Sequence, residues 1–290
     1  MSRLLSVANN TGVVTFSIDA RVRLYLDKVI ELSASECGNH LFSVVLFGSA
    51  VKGEYKEGVS DIDLMVVVSD ETPKPVLEHL GSRLEGLEAA SGPMRNRSHF
   101  LWVFASRTAL FRSHFVVRRA SLTALDTRKL FEEARGFNLP FGRLLLSIAP
   151  SDLVVQNVLR GAAVVYGENI LEGVQLPRPG PSGLARSFLV SLVLSLFGGL
   201  ASIFFADGSM FSLEAVKWFL LDLHSYSHDD SGGIREALSY AEKLSPSPVL
   251  QGFSVLRQSY HRSIAFSLAC PLYLSYLFLV SFLKRPGKAF

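Results

Sequence analysis

The nine residues Gln175–Gly183 (QLPRPGPSG) hold three prolines and two glycines. Neither a helix nor a strand runs through such a density, because proline removes a backbone donor and glycine raises the entropy cost of ordering. The chain must change element there, and its two sides differ in kind. Before the break, β-branched and aromatic runs alternate with amphipathic segments; after it every segment has helical periodicity. With 290 residues the chain has the length of about two ordinary domains. We therefore expect a first domain at 1–174, a linker at 175–183 and an all-helical second domain at 184–290.

In the first part, Ala20–Ser33 spaces Val22, Leu24, Val29, Ile30 and Leu32 as a helix does, until Gly38 and Asn39 interrupt the pattern. Leu41–Phe47 (LFSVVLF) is a short β-branched and aromatic run ended by Gly48, and Asp61–Val68 (DIDLMVVV) is a second, ended by Ser69 and Asp70. Pro73–Ala89 is helix-like, and His99–Phe104 (HFLWVF) is the expected third strand. The order is helix, strand, strand, helix, strand.

The second part predicts helices at 184–206, 212–226, 234–244, 249–260 and 263–283. Apolar residues make up 49% of the chain and charged residues 19%, below the roughly 25% charged of an average soluble domain. The excess sits in 187–206 and 263–283, which carry no charge and are long enough to cross a bilayer. Each has a stripe of small residues, Ser187, Ser191, Ser195 and Gly199 in one and Ser263, Ser267 and Ser275 in the other, which lets helices approach closely in water or in lipid. Between them lie Lys217, Arg235, Lys243, Arg257 and Arg262 on amphipathic segments, a poor exported loop under the positive-inside rule. We expect a buried helical bundle rather than a membrane hairpin. Asn9, Asn10 and Thr11 break any secretory apolar core, and Cys37 and Cys270 stand too far apart for a CxxC site. A cytoplasmic setting is expected.

The chemistry is concentrated in Val45–Asp70 (VLFGSAVKGEYKEGVSDIDLMVVVSD). A strand ends at Phe47, Gly48 lets the backbone turn and approach a ligand, and Ser49 offers a hydroxyl and an amide at what reads as a helix start, a geometry suited to phosphate. Twelve residues on, Asp61 and Asp63 enter a strand two apart, so both carboxylates fall on one face and Ile62 and Leu64 on the other. Two adjacent carboxylates repel unless they share a cation, and Mg²⁺ is the usual partner of one or two carboxylates plus substrate phosphates.

A Gly-Ser, a spacer and an Asp-x-Asp entering an apolar strand resemble the signature of the nucleotidyltransferase superfamily, the fold of DNA polymerase beta and of kanamycin nucleotidyltransferase. Gly161–Asn169 (GAAVVYGEN) is similar to the segment that closes the catalytic domain in its small members. The resemblance implies an α+β nucleotidyltransferase domain, a mixed sheet with flanking helices, followed by the helical bundle. It implies transfer of a nucleoside monophosphate from an NTP to an acceptor hydroxyl on tRNA, protein or a small molecule, with pyrophosphate leaving. Gly48 and Ser49 would bind the nucleotide's phosphates, and Asp61 and Asp63 would be the catalytic pair that binds Mg²⁺ or Mn²⁺.

The family's third carboxylate, on a later strand, has no counterpart where it is expected. Ala89–Leu125 contains no Asp or Glu, and HFLWVF offers only His99 and Trp102, poor ligands for a cation that prefers oxygen. Asp126, Glu132, Glu133 and Asp152 follow, each more simply a solvated charge. The alternative is a nucleotidyltransferase fold with reduced catalysis, acting as a binding or regulatory module. The same acid-free stretch holds Arg95, Arg97, Arg107, Arg112, Arg118 and Arg119 in a protein whose net charge is only +3. The first four are the expected contacts for nucleic acid or triphosphate, since arginine pairs bidentately with phosphate. Arg257 and His261 (RQSYH) fall one residue short of the Arg-to-His spacing of helical HEPN ribonucleases, and read as a surface pair on one helix.

Overall fold

The computed structural model describes residues 3–9, 12–55, 62–91, 114–123, 157–159, 161–172, 180–228 and 232–283. These divide into two compact units, one made of 3–172 apart from Asn157, the other of Asn157 with 180–283.

The first unit opens with a hairpin of β1 (Arg3–Asn9) and β2 (Gly12–Ile18), paired antiparallel from Arg3↔Ile18 to Asn9↔Gly12. Helix α1 (Ala20–Cys37) follows, with the Asp19 carboxylate accepting from the Arg21 amide at 2.8 Å as its N-cap. It runs four residues past Ser33 because its inward stripe continues through Ser33 and Cys37, small buried residues that an apolar count passes over. Gly38, at φ +52°, ends it in the left-handed region glycine favours.

Strands β3 (Leu41–Phe47) and β4 (Asp63–Val68) pair antiparallel, and β6 (Ala163–Gly167) pairs antiparallel with the other edge of β3. β5 (His114–Arg118) lies parallel beside β4, giving the order β5–β4–β3–β6. The sheet is mixed, as expected. A parallel neighbour needs a crossover, and α2 (Lys74–Ser91) lies in that connection. The runs of apolar residues are explained by burial on both faces: Val44, Val45, Leu46, Leu64, Val66, Val67 and Val68 are all fully buried. On one face, Val44, Leu46, Leu64, Val66 and Val116 pack with Val22, Leu26 and Val29 of α1 and Leu80 and Leu84 of α2. The short helix α3 (Arg119–Thr123) follows β5. The expected strand at 99–104 lies outside the described residues, and the third strand the sheet does show, HFVVR, was not anticipated.

The second unit is helical: α4 (Pro181–Phe204), α5 (Gly208–His228), α6 (Ile234–Leu244), α7 (Pro248–Gln258) and α8 (Ile264–Leu283). Helix α4 begins inside the proline-rich break, because Pro181 sits at a first-turn position where no amide partner is needed. The small residues sit where helices meet. A Cβ on Gly198 would overlap Ser212 of α5, one on Gly208 would overlap the Ala201–Ser202 backbone, and one on Gly199 would press the Ser267 carbonyl of α8 at 3.3 Å. Ser187, Ser191, Ser195 and Ser267 are buried, as the stripe predicts, whereas Ser263 and Ser275 are only half-buried.

Candidate functional site

Register brings the two halves of the motif together. Phe47, the last residue of β3, is the cross-strand partner of Asp63, the first residue of β4, so Gly48 lies beside the Asp63 side chain although fifteen positions separate them. Gly48 has φ +74°, and a Cβ there would overlap the Asp63 carboxylate. The glycine is thus required twice, for its backbone conformation and for the space the carboxylate occupies. Ile62 and Leu64 are buried at 2% and 0% exposure while Asp63 is half-exposed, and the Asp63 face is buried again from Met65 onward. Asp61 lies outside the described residues.

Residues 48–53 form a turn, closed by the Lys52 amide on the Gly48 carbonyl at 3.4 Å and the Glu54 amide on the Ser49 carbonyl at 2.9 Å. The helix start expected at Ser49 is therefore a hydrogen-bonded turn, reinforced by a second left-handed glycine, Gly53 at φ +68°. Any anion held here meets turn amides and the Ser49 hydroxyl rather than a helix N-terminus. Ala50 is buried and anchors the turn to the core beneath, with half-buried Val51 and Tyr55 packed beside it. Burial, with Asp19 nearby, raises the Tyr55 phenol above its ordinary pKa.

The face of the sheet that carries Asp63 also carries Met65 and Val67 of β4, Val45 and Phe47 of β3, and Phe115 and Val117 of β5 by register. Phe47 and Phe115 meet at 6.1 Å between ring centroids. Strand β5, next to the aspartate strand, therefore brings no acid, and Asp63 is the sole carboxylate on the four strands of the sheet. His99, Trp102, Asp126, Glu132, Glu133 and Asp152 lie outside the described residues, as do Arg95, Arg97, Arg107 and Arg112. Among the described residues no cluster of three or more His, Cys, Asp or Glu side chains could hold a metal ion. What is described fits a hard cation in part: an oxygen donor at a strand start, packed against a glycine that leaves it room.

Arg118 closes β5 about 13 Å along the strand from His114, the register partner of Leu64, and Arg119 begins the helix that follows. One guanidinium donates to the Thr72 carbonyl at 2.8 Å; the other lies 4.5 Å over the Phe42 ring and 3.8 Å from Glu168. These contacts brace the fold. Arg257 and His261 do not share a helix: α7 ends at Gln258, where Ser259 turns extended, and His261 lies exposed in the loop beyond. The expected surface pair is thereby corrected. Gly161–Asn169 supplies the edge strand β6, and Gly167, at φ +82°, passes so close to the Phe42 carbonyl that a Cβ would collide with it.

Two polar groups had no signal in the sequence, since burial rather than spacing defines them. On the helix face of the sheet, His114 hydrogen-bonds Tyr25 Oη at 2.9 Å through Nε2 and Glu88 at 3.1 Å through Nδ1. In the helical unit, Asp222 is 6% exposed and accepts from the Asn157 amide and the Ser187 hydroxyl, while Ser225 donates to Asn157 Oδ1 at 2.8 Å. Ser187, one of the small-residue stripe, is a hydrogen-bond donor to this carboxylate.

Residues 29–106 match the family model of the nucleotidyltransferase domain, a segment that takes in β3, the Gly48 turn, β4 and α2. The match, the mixed sheet and the Gly48–Asp63 corner together support a nucleotidyltransferase assignment for this segment. The fold of the chain is similar to that of spectinomycin adenyltransferase AAD(9) from Enterococcus faecialis, solved with ATP and spectinomycin. The TM-score is 0.51 at 13% identity, over 90% of this chain and 99% of that one. No curated protein matches the sequence.

Proposed function

We propose that this protein moves a nucleoside monophosphate from an NTP to an acceptor hydroxyl, with residues 1–174 as its nucleotidyltransferase domain, in a cytoplasmic setting. The observation that carries this reading is the packing of Gly48 against the Asp63 carboxylate, where a phosphate-binding turn and an acidic strand end meet. Gly48 keeps the backbone low so that the turn amides and Ser49 can donate to the β- and γ-phosphates. Asp61 and Asp63 would hold Mg²⁺ or Mn²⁺, which, when bound, offsets the charge of an in-line displacement at phosphorus. The acceptor oxygen forms its bond to the α-phosphorus as the bond to pyrophosphate breaks. The likeness to an adenyltransferase solved with ATP and spectinomycin favours ATP as donor and a small hydroxylic molecule as acceptor, ahead of tRNA or a protein.

One observation favours a second reading, a nucleotide-binding module with little turnover: β5 carries no acid to take the acceptor's proton. The experiment that separates the two measures pyrophosphate release from ATP, GTP, CTP and UTP with Mg²⁺. Spectinomycin serves as a small acceptor and bulk tRNA as a polyanionic one. Acceptor-dependent release that Asp61→Ala and Asp63→Ala each abolish is the expected result. Mg²⁺-dependent NTP binding without release for any pair supports the second reading, and absence of both contradicts each.

A further inference from the structure

The two most apolar helices of the second unit bury only one side of their apolar surface. From Leu189 to Phe204, every exposed position of α4 is apolar: Leu189, Val193, Leu196, Phe197, Leu200, Ile203 and Phe204. On α8 the exposed positions are equally apolar apart from the Tyr276 hydroxyl, with Leu272 at 77% and Leu283 at 85% exposure. The helices lie antiparallel and in contact: Phe188 stacks on Phe278 at 4.3 Å, Gly199 faces Ser267, and Arg262 donates to the Ser202 and Ile203 carbonyls. Helix α5 packs against both, and their outer sides form an apolar face about 30 Å long that is unpartnered among the described residues.

In sequence these two helices and their flanks carry only basic charge, with Asp207 and Glu242 just outside them. Neither 175–206 nor 243–290 contains an Asp or Glu, whereas Arg178, Arg186, Lys243, Arg257, Arg262, Lys284, Arg285 and Lys288 fall within them. Because the helices are antiparallel, exposed Arg186 stands at the end where α8 finishes, and the chain continues from Leu283 directly into Lys284 and Arg285. A protein interface usually surrounds its apolar centre with a polar rim, and no polar rim interrupts this face along either helix. Immersion of the whole bundle is excluded by Glu214, Lys217 and Asp222 on α5 and by exposed Arg235, Glu236, Glu242 and Lys243 on α6. An apolar face with a basic end is the pattern of segments that lie in the plane of an anionic membrane surface.

We propose that the α4–α8 face binds the surface of an anionic lipid bilayer, seated in the interface without spanning it. The test uses the purified full chain in vesicle co-sedimentation, with phosphatidylcholine alone and with about one-third phosphatidylserine. Binding to the anionic vesicles, weakened by salt, is expected. Leu200→Glu and Leu272→Glu should each lower the partition coefficient roughly tenfold, with the helical circular dichroism unchanged. Absence of vesicle binding overturns the proposal. So does a dimer in analytical ultracentrifugation that the same two substitutions dissociate, because the face then belongs to a second copy. Retention in cellular membranes after alkaline carbonate extraction also overturns it, since a surface-bound protein is released by that treatment.

Discussion

Gly48 and Asp63 show how much a single missing side chain can decide. A left-handed backbone costs a non-glycine residue roughly 1–3 kcal/mol, and here a Cβ would in addition displace the carboxylate. Gly48→Ala is expected to lower stability by about that amount and to abolish Mg²⁺-dependent NTP binding, read by thermal melts and by calorimetric titration respectively. Retained binding would separate the glycine from the site. Titrating groups make a second prediction at this scale. Burial, with Glu36 nearby, raises the Cys37 thiol from 9.0 to about 11, and burial raises Cys270 still further. A raised folded-state pKa favours folding below the unfolded value and loses that contribution as pH climbs toward the folded one. Stability should therefore fall from about pH 9 upward, with the buried phenols of Tyr25 and Tyr273 adding to the loss above their ordinary value of 10.0. Both thiols should resist a thiol reagent at pH 8 until denaturant is added. The pairing of Gly48 with the acidic strand was legible because turn glycine and paired aspartates have sequence signatures. The Asp222 and His114 clusters were not, because hydrogen bonds between residues 26 to 89 positions apart leave no local pattern.

Elements were legible where composition and local chemistry agreed. LFSVVLF and the helix at 234–244 lie where their sequences place them, the first bounded by a glycine and the second strongly amphipathic. Strand β5 was missed because HFVVR is five residues long with arginines on its C-terminal side, and only pairing with β4 identifies it. The hairpin of β1 and β2 carries a local signal, two apolar runs on either side of Asn9–Gly12, and reading Asn9, Asn10 and Thr11 only as a break in an apolar core passes over it. Among glycines, the structure separates those that permit contact from those that merely loosen a helix. Gly208 meets the Ala201–Ser202 backbone, whereas exposed Gly86 on α2 has nothing within 4 Å of a Cβ. Gly208→Ala should destabilise by roughly 1–3 kcal/mol, and Gly86→Ala should stabilise by about 0.5–1 kcal/mol. Denaturant midpoints of the two variants check this, and a shift of the same sign in both would contradict the packing described for α4 and α5.

For the molecule as a whole, the sequence led to an expected mixed α+β part followed by a helical part, and the elements of the two units have that character. It did not show that the second part carries an uncovered apolar face, because exposure depends on how helices pack and not on their composition. The α+β unit with its Gly48–Asp63 corner and the helical unit with its α4–α8 face differ in chemistry, and we propose a triphosphate for the first and an anionic lipid surface for the second. Salt dependence separates the acceptor classes. A nucleic acid held by about four phosphate contacts would bind with a log–log salt slope near −3. A small uncharged acceptor would show almost none, and the small-acceptor reading predicts the flat response.

The central claim is that the corner between β3 and β4 is a site for a metal-bound nucleoside triphosphate. Calorimetric titration of the full chain with a non-hydrolysable ATP analogue, with and without Mg²⁺, tests it most directly when repeated with Asp63→Asn, a substitution that keeps the shape and removes the charge. The account predicts saturable binding that requires Mg²⁺ and weakens at least about tenfold in the variant, a loss of roughly 1.4 kcal/mol. Binding of equal strength in the variant, or no binding by the native chain at millimolar analogue and Mg²⁺, would contradict it.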